Sequence, residues 1–316
     1  MSAHAMPKRI DICVCTFRRP QLADTLRSLA KLRVPEGYAT AILVADNDDI
    51  PSARSLVGAL VEELGVPLRY LHCPARNISL ARNACLDASS AEFVAFIDDD
   101  EIATPDWIAR LVETAERDGS DVTLGPVRAR YGDDAPDWMR QGDFHSTYPV
   151  WVRGRVRTGY TCNVLLRRTS PGIAGRRFSL ARGQTGGEDT QFFDEVFRLG
   201  GALSFASDAW VEESVPSARA SFRWLAQRRL RVGQTHGHLL RARRGFAGNA
   251  GQLALAAAKA GYCFAGVLPT AFGPVARNRS LLRGIMHVGV VGGLLGVREL
   301  RLYGTAIPPD SARHAA

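Results

Sequence analysis

Four consecutive carboxylates at residues 98–101, Asp-Asp-Asp-Glu, are the side chains of this sequence best suited to bind a cation. They follow an apolar run at residues 93–97, whose length and composition predict a buried strand of a parallel sheet. Carboxylates at this density repel one another unless a cation or a raised pKa relieves the repulsion. Their oxygens suit Mg²⁺ or Mn²⁺, which binds carboxylates together with the phosphates of a substrate.

A solvated acidic loop that caps the next helix is the simpler explanation of such a run. Thr104 and Pro105 do predict the N-cap and the first position of a helix over residues 105–117. The position of the acids nevertheless favours a site, because open α/β sheets bind ligands at the carboxyl ends of their strands. The strand, the acids and the helix together therefore predict a metal–phosphate site.

A second pair of acids, Glu188 and Asp189, follows a glycine-rich stretch at residues 183–187. The helix predicted after them has an apolar face that begins at Phe192. Acids at a helix N-terminus are favoured by the helix dipole and are often no more than a cap. Beside a metal–diphosphate site, the same pair is the best candidate for a general base.

Predicted strands and helices alternate along the part of the chain that positions these acids. Apolar strand-like runs lie at residues 10–15, 41–45, 68–71 and 93–97, with helical patterns between them. The alternation predicts an α/β fold with a mostly parallel central sheet covered by helices. Polar residues at the strand ends predict a nucleotide crevice at one edge of that sheet. Neither GxxxxGK[ST] nor a GxGxxG after the first strand occurs, which leaves metal and arginine to hold phosphate charge.

Charge divides the chain into two parts. Residues 1–216 hold 25 basic and 30 acidic side chains, whereas residues 217–316 hold 15 basic and 2 acidic ones. The C-terminal part also contains apolar, glycine-rich segments at residues 253–273 and 284–297, flanked by arginines. This composition predicts helices that lie on an anionic membrane, with a helical hairpin packed on the catalytic body as the equal alternative. Nucleic acid is not expected as a partner, because exposed aromatics do not alternate with the arginines.

The remaining bulk features set the compartment and the domain limits. The six cysteines form no CxxC pair and several lie in strand-like runs, so reduced thiols of a cytosolic protein are expected. Residues 1–9 lack the apolar core of a secretion signal. The expected organisation is a flexible N-terminus (1–9), a catalytic domain (10–245), a membrane-associating helical segment (246–305) and a flexible C-terminus (306–316). The catalytic domain is expected to divide into a nucleotide half (10–125) and an acceptor half (126–245).

Five landmarks in order, at residues 14–20, 44–47, 81–83, 96–100 and 187–189, make the sequence similar to the inverting glycosyltransferases of family 2, which have the GT-A fold. The stretch at residues 76–83 and the basic helix with its apolar tail resemble the ExoM-like transferases of succinoglycan and exopolysaccharide synthesis. Two departures are present. Ile78-Ser79-Leu80 fills a place where many members have glycine, and a QxxRW motif is absent, which favours addition of a single sugar.

The resemblance implies a role for each matching position. Thr16, Asp46 and Arg82 would line the uridine pocket, Arg18 would lie near the base or the phosphates, and Asp98 and Asp99 would contact the nucleotide sugar. Asp100, helped by Asp98, would bind Mg²⁺ or Mn²⁺, and Asp189 with Glu188 would supply the catalytic base. Acceptor choice is expected to depend on residues 131–148, a predicted irregular loop, and on the region around Asn163.

The implied activity is inverting transfer of a hexose such as glucose from a UDP-sugar to a lipid-linked or saccharide acceptor. The expected location is the cytoplasmic face of a bacterial inner membrane, with the chain held peripherally or at the interface. Two alternatives stay open: a nucleotidyltransferase that makes the nucleotide sugar, and a non-catalytic scaffold that binds nucleotide sugar at the membrane. The nucleotidyltransferase is disfavoured because residues 16–20 contain no glycine.

Overall fold

The computed structural model describes residues 6–184, 186–243 and 246–300. The strands are β1 (Lys8–Thr16), β2 (Tyr38–Asp46), β3 (Leu68–His72), β4 (Phe93–Asp98), β5 (Glu101–Ala103), β6 (Val122–Leu124), β7 (Val127–Tyr131), β8 (Val150–Val152), β9 (Arg155–Thr158), β10 (Asn163–Arg167), β11 (Leu203–Phe205) and β12 (Val211–Val215). The helices are α1 (Leu22–Leu29), α2 (Arg54–Leu64), α3 (Ile78–Ala88), α4 (Trp107–Asp118), α5 (Asp137–Gly142), α6 (Glu188–Arg198), α7 (Phe222–Arg243), α8 (Phe246–Ala265) and α9 (Pro274–Leu295). The predicted C-terminus 306–316 and most of the predicted N-terminus lie outside the described residues.

The central sheet has seven strands in the order β11-β6-β10-β4-β1-β2-β3. All neighbouring pairs are parallel except those of β10, which runs antiparallel to both β4 and β6. The apolar run of β4 is buried between β1 and β10, as a strand covered by helices on both faces must be. The predicted α/β architecture is confirmed.

The acids at the end of β4 are followed by a short strand that the sequence did not reveal. β5 pairs with β12, which pairs in turn with β7, so a small second sheet begins directly after the acidic run. Thr104 donates hydrogen bonds to the Trp210 carbonyl from its hydroxyl at 2.9 Å and from its backbone N–H at 3.2 Å, so it is held to the segment before β12. Helix α4 accordingly starts at Trp107, after Asp106, and the predicted cap at Thr104 is wrong.

Residues 131–148 are not the irregular loop expected from their Asp, Gly and Pro content. They contain helix α5, which is preceded by Pro136. Met139 of α5 and Phe144 after it are buried with Leu225 of α7 and Leu282 of α9. This cluster fixes the segment against the C-terminal helices.

Helices α7 and α9 approach so closely that their backbones are in contact. A Cβ placed on Gly289 would lie 2.1 Å from the Leu230 carbonyl oxygen, and one on Gly293 would lie 2.3 Å from that of Gln234. Small residues spaced by four allow such contact on both helices. Among the described residues, none of the helices combines the length and apolar character that crossing a bilayer requires.

Candidate active site

The polar residues that end three neighbouring strands lie side by side, as predicted. Thr16 of β1 is in register with Asp46 of β2, and Cys15 is in register with Asp98 of β4. Parallel strands bring their carboxyl ends to one edge of the sheet, where a helix or loop can complete a binding site. This edge is the candidate nucleotide crevice.

Asp46 is fully buried and its carboxylate is already hydrogen-bonded within the protein. One oxygen accepts from the Ala53 backbone N–H at 2.8 Å and from the Tyr70 hydroxyl at 2.7 Å, and the other accepts from the Asp48 N–H at 3.1 Å. The residue therefore holds the turn after β2 in shape. Direct contact between Asp46 and uridine stays a prediction.

Two ion pairs stand at the mouth of the crevice. Arg18 donates two hydrogen bonds to Asp48, at 2.7 and 2.9 Å, and Arg76 pairs with Asp49 at 2.6 Å. Both arginines have left-handed backbone angles, with φ of 54° and 45°, which is uncommon for residues with side chains. Sequence reasoning singled out Arg18 but missed Arg76, although the acids at residues 46–49 marked the region.

The acidic run is anchored to the first strand. The Thr16 hydroxyl donates to Asp99 at 2.6 Å, and Arg19 lies 3.8 Å from Asp99 and 3.4 Å from Asp100. Burial raises the pKa of Asp98 to about 7, and the nearby charges of Asp100 and Asp99 add to the shift while Arg82 opposes it. Burial likewise raises the pKa of Asp99 to about 6.

The carboxylates of this edge fit a hard divalent cation. Ligand atoms of Asp98, Glu101 and Cys162 all lie within 4.8 Å of one another. Burial raises the pKa of the Cys162 thiol well above its usual range, so the carboxylate oxygens are the better donors. Burial raises the pKa of Glu101 well above its usual range, and the like charges of Asp98 and Glu213 add to the shift, which is repulsion that a cation relieves. Glu101 was recognised in the sequence as a member of the acidic run, but the resemblance assigned the metal to Asp100 and Asp98 alone, and Glu213 was not found.

The second acid pair begins helix α6 and lies close to the first. Arg82 of α3 donates to Glu188 within the core, and the other Glu188 oxygen is buried without a partner among the described residues. Although burial alone would lower it, the pKa of Arg82 is raised by the charges of Glu188, Asp98 and Asp189. Arg82 therefore lies between the two groups of acids.

Asp189 is hydrogen-bonded to Thr190 through one of its two carboxylate oxygens. Its Oδ1 accepts hydrogen bonds from the Thr190 backbone N–H at 2.6 Å and from the Thr190 hydroxyl at 3.3 Å. Burial raises its pKa to about 6, the charge of Glu188 raises it further, and Arg82 opposes both. A carboxylate with such a pKa is suited to accept a proton near neutral pH.

Comparison with known proteins is consistent with this geometry. The profile described as Glycosyl transferase family 2 matches residues 11–181, more than half of the chain. The chain belongs to glycosyltransferase family 2. Family membership identifies it as a glycosyltransferase and decides against the nucleotidyltransferase and the non-catalytic scaffold.

Two curated members of the family show how far the likeness extends. The chain is 53% identical over 295 residues to "Succinoglycan biosynthesis protein ExoM" of Rhizobium meliloti (strain 1021), covering 93% of this chain and 96% of that protein. It is 25% identical over 177 residues to "Glucosyl-dolichyl phosphate glucuronosyltransferase" of Haloferax volcanii, covering 51% of this chain and 53% of that protein. The likeness to ExoM thus includes the C-terminal helices.

The fold also matches solved glycosyltransferases. Residues 1–349 of S. aureus TarS superpose with a TM-score of 0.52 at 16% identity, covering 89% of this chain and 92% of that chain. TarS in complex with UDP gives a TM-score of 0.51 at 15% identity. These matches confirm the GT-A fold.

Proposed function

We propose that this glycosyltransferase moves a hexose from a UDP-sugar to a lipid-linked or saccharide acceptor in exopolysaccharide synthesis, with inversion at the anomeric carbon. Likeness to ExoM over nearly the whole chain supports the process, and UDP-bound TarS, which shares the fold, supports the donor class. The observation that carries the mechanism is the position of Arg82, which interacts with Asp98 of the strand-end acids and with Asp189 of α6.

Asp189 takes the proton of the acceptor hydroxyl on Oδ2, because Oδ1 is held by Thr190. The acceptor oxygen forms its bond to the anomeric carbon as the bond from that carbon to the UDP oxygen breaks. Attack from the side opposite the leaving group inverts the carbon, as in the inverting reactions of glycosides. An α-linked donor therefore gives a β-linked product.

Mg²⁺ or Mn²⁺ held by Asp98 and Asp100, with Glu101 and Glu213 nearby, would neutralise charge on the departing diphosphate. The residues around the site orient the donor independently of the metal. Thr16 fixes Asp99, and the Arg18–Asp48 pair presents a cation at the crevice mouth, where Arg18 is half exposed. The ion pair with Arg82 holds Glu188 in place beside the base.

Membrane association belongs to the same proposal. The turn between α8 and α9 exposes Leu268 and Phe272, at 80% and 102% of their free surface, close to Lys259 and Arg277 in the chain. Exposed apolar side chains next to cations are typical of segments that enter the interface of an anionic leaflet. We therefore place the enzyme at the cytoplasmic face of a bacterial inner membrane.

The test is release of UDP from a panel of UDP-sugars with Mn²⁺ or EDTA and membrane extract as acceptor source. Wild type should turn over only with metal, Asp100→Ala should lose turnover and metal response, and Asp189→Asn should lose at least about 100-fold in kcat. Asp189→Asn should still bind UDP. Glu62→Gln, at an exposed carboxylate on α2, is the matched control and should behave as wild type.

Proton NMR of the isolated product tests inversion, since the anomeric coupling distinguishes α from β linkages. Turnover that is equal in EDTA would contradict the metal assignment. A near-normal kcat in Asp189→Asn would exclude Asp189 as the catalytic base. Retention of anomeric configuration would exclude the single-displacement mechanism.

A further inference from the structure

A cavity of about 250 Å³ lies where helix α5 and the two residues that follow it, Asp143 and Phe144, meet helices α7 and α9. Three arginines line it: Arg229 from α7, and Arg279 and Arg283 from α9. Its other walls include Asp143 and Phe144. Arg279 is held in place by a hydrogen bond to the Gly142 carbonyl at 3.0 Å and lies over the Phe144 ring, 5.7 Å from its centroid.

Among the described residues, the three arginines give this cavity a positive charge that Asp143 compensates only in part. None of the three guanidinium groups forms an ion pair with a described residue, and the Asp143 carboxylate instead accepts from the Ser146 hydroxyl at 2.5 Å. Burial lowers the pKa of Arg229, and the charges of Arg228 and Arg283 lower it further. Arg18 and Arg82, by contrast, each face a carboxylate. Like charges gathered without a partner call for an anionic ligand.

We infer that this cavity, the arginine pocket, binds the phosphate or diphosphate group of the acceptor. Guanidinium groups bind phosphate oxygens in pairs through parallel N–H bonds, which makes three converging arginines a strong phosphate site. The inference rests on the proposed function, because it assigns the ligand to the acceptor and not to the donor.

The location of the pocket favours the acceptor. Tyr160 is near both the pocket and the base: burial raises its pKa, the charges of Arg228 and Arg229 lower it, and the charge of Asp189 raises it. Along the chain, α9 leads back from Arg279 to the turn that exposes Leu268 and Phe272. The pocket is therefore linked to the base through Tyr160 and to an exposed apolar turn through α9, which suits a sugar joined through diphosphate to a lipid.

Calorimetry on the full chain, saturated with UDP and Mn²⁺ so that the donor crevice is filled, tests the inference. The probes are farnesyl diphosphate, inorganic pyrophosphate, farnesol, and phosphatidylglycerol vesicles. Arg279→Gln/Arg283→Gln removes two exposed charges of the pocket. Arg198→Gln/Arg223→Gln, which removes two exposed charges from α6 and α7, is the matched control.

We expect the pocket variant to bind farnesyl diphosphate and pyrophosphate at least 10-fold more weakly than wild type. The control variant should bind both as wild type does. Tighter binding of farnesyl diphosphate than of pyrophosphate supports a lipid diphosphate as the source, whereas equal binding supports the phosphate group alone. Equal binding of pyrophosphate to the pocket variant and wild type overturns the inference. So does an equal loss in the control variant, or loss of vesicle binding only.

The same variants separate this inference from the proposed function. UDP binding should be unchanged in the pocket variant, because the crevice at β1, β2 and β4 keeps all of its residues. If the pocket variant turns over UDP-sugar normally and binds diphosphate as wild type does, the arginine pocket is not a phosphate site, but the proposed transferase activity stands. If wild type never releases UDP and the pocket variant still loses diphosphate binding, the pocket stands and the proposed transferase activity fails.

Discussion

At the scale of single residues, the position of Asp189 sets the pH dependence of the reaction. A base works only when it is deprotonated, and burial together with Glu188 raises the pKa of Asp189 to about 6. With donor and metal saturating, kcat/KM for the acceptor should therefore fall tenfold per pH unit below about pH 6 and be flat above it. Initial rates between pH 5 and 8 measure this limb.

The neighbouring carboxylate provides a directed test of that assignment. In Glu188→Gln the like charge is removed and Arg82 is freed to interact with Asp189, and both changes lower the pKa of Asp189. The acid limb should move to lower pH, while in Glu62→Gln it should stay in place. A limb that does not move in Glu188→Gln would mean that another group titrates.

The structural role of Asn163 was not predicted from the sequence. Its side chain is 1% exposed, accepts from the Trp107 indole N–H at 2.8 Å, and donates to the carbonyls of Pro126 and Ala209 at 2.9 and 2.7 Å. It joins β10 to α4 and to the segments around β7 and β12. Because Asn163 itself is closed to ligand, the expectation that the region around it affects acceptor choice stays a prediction about its neighbours.

Substitution of Asn163 should therefore act on stability. Asn163→Leu leaves the Trp107 indole N–H and the Ala209 carbonyl without the hydrogen bonds that Asn163 makes to them, each worth about 1–3 kcal/mol, so the free energy of unfolding should fall by several kcal/mol. Urea unfolding followed by circular dichroism measures the loss. Thr147→Val, at a half-buried hydroxyl away from this network, should change stability by about 1 kcal/mol or less.

At the scale of elements, glycine at the α7–α9 contact permits the backbones to touch. In Gly293→Ala the new Cβ meets the Gln234 carbonyl oxygen 2.3 Å away, so the helices must separate, at a cost of about 1–3 kcal/mol. Gly261→Ala on α8 meets nothing within 4 Å and should raise stability by about 0.5–1 kcal/mol through helix propensity. Thermal unfolding distinguishes the two, and equal shifts would contradict backbone contact.

The elements that sequence could predict are those whose pattern is local. Apolar runs identified β1 to β4, and the helical patterns between them correspond to α1, α2 and α3. β5 was missed because its three residues pair only with β12, more than a hundred positions later, and α5 was missed because a six-residue helix has too short a period to detect. Glu213 reaches the acids through the same β5–β12 pairing, so its part in the site depends on tertiary structure alone.

At the scale of the whole molecule, the uneven charge along the chain places the basic residues apart from the acidic site. Most of the described basic residues after position 216 lie on helices α7 to α9, whereas the acids of the candidate metal site lie on β4, β5 and β12 and between β4 and β5. A positive surface attracts an anionic leaflet and loses that attraction as salt screens it. Sequence composition predicted this asymmetry, but which apolar residues remain exposed depends on how α8 and α9 pack.

Vesicle binding tests the exposed turn directly. Leu268→Ser/Phe272→Ser removes two apolar side chains, each worth about 1.5–3 kcal/mol when buried in a membrane, so binding to phosphatidylglycerol vesicles should weaken more than 10-fold. Val61→Ser/Leu199→Ser changes two exposed apolar residues elsewhere, at 44% and 72% exposure, and should bind as wild type does. Co-sedimentation at 0.1 M salt measures both, and binding of wild type should fall as salt is raised to 1 M. If the turn variant binds like wild type while salt still abolishes binding, charge alone holds the enzyme at the membrane, and insertion of the exposed turn is ruled out.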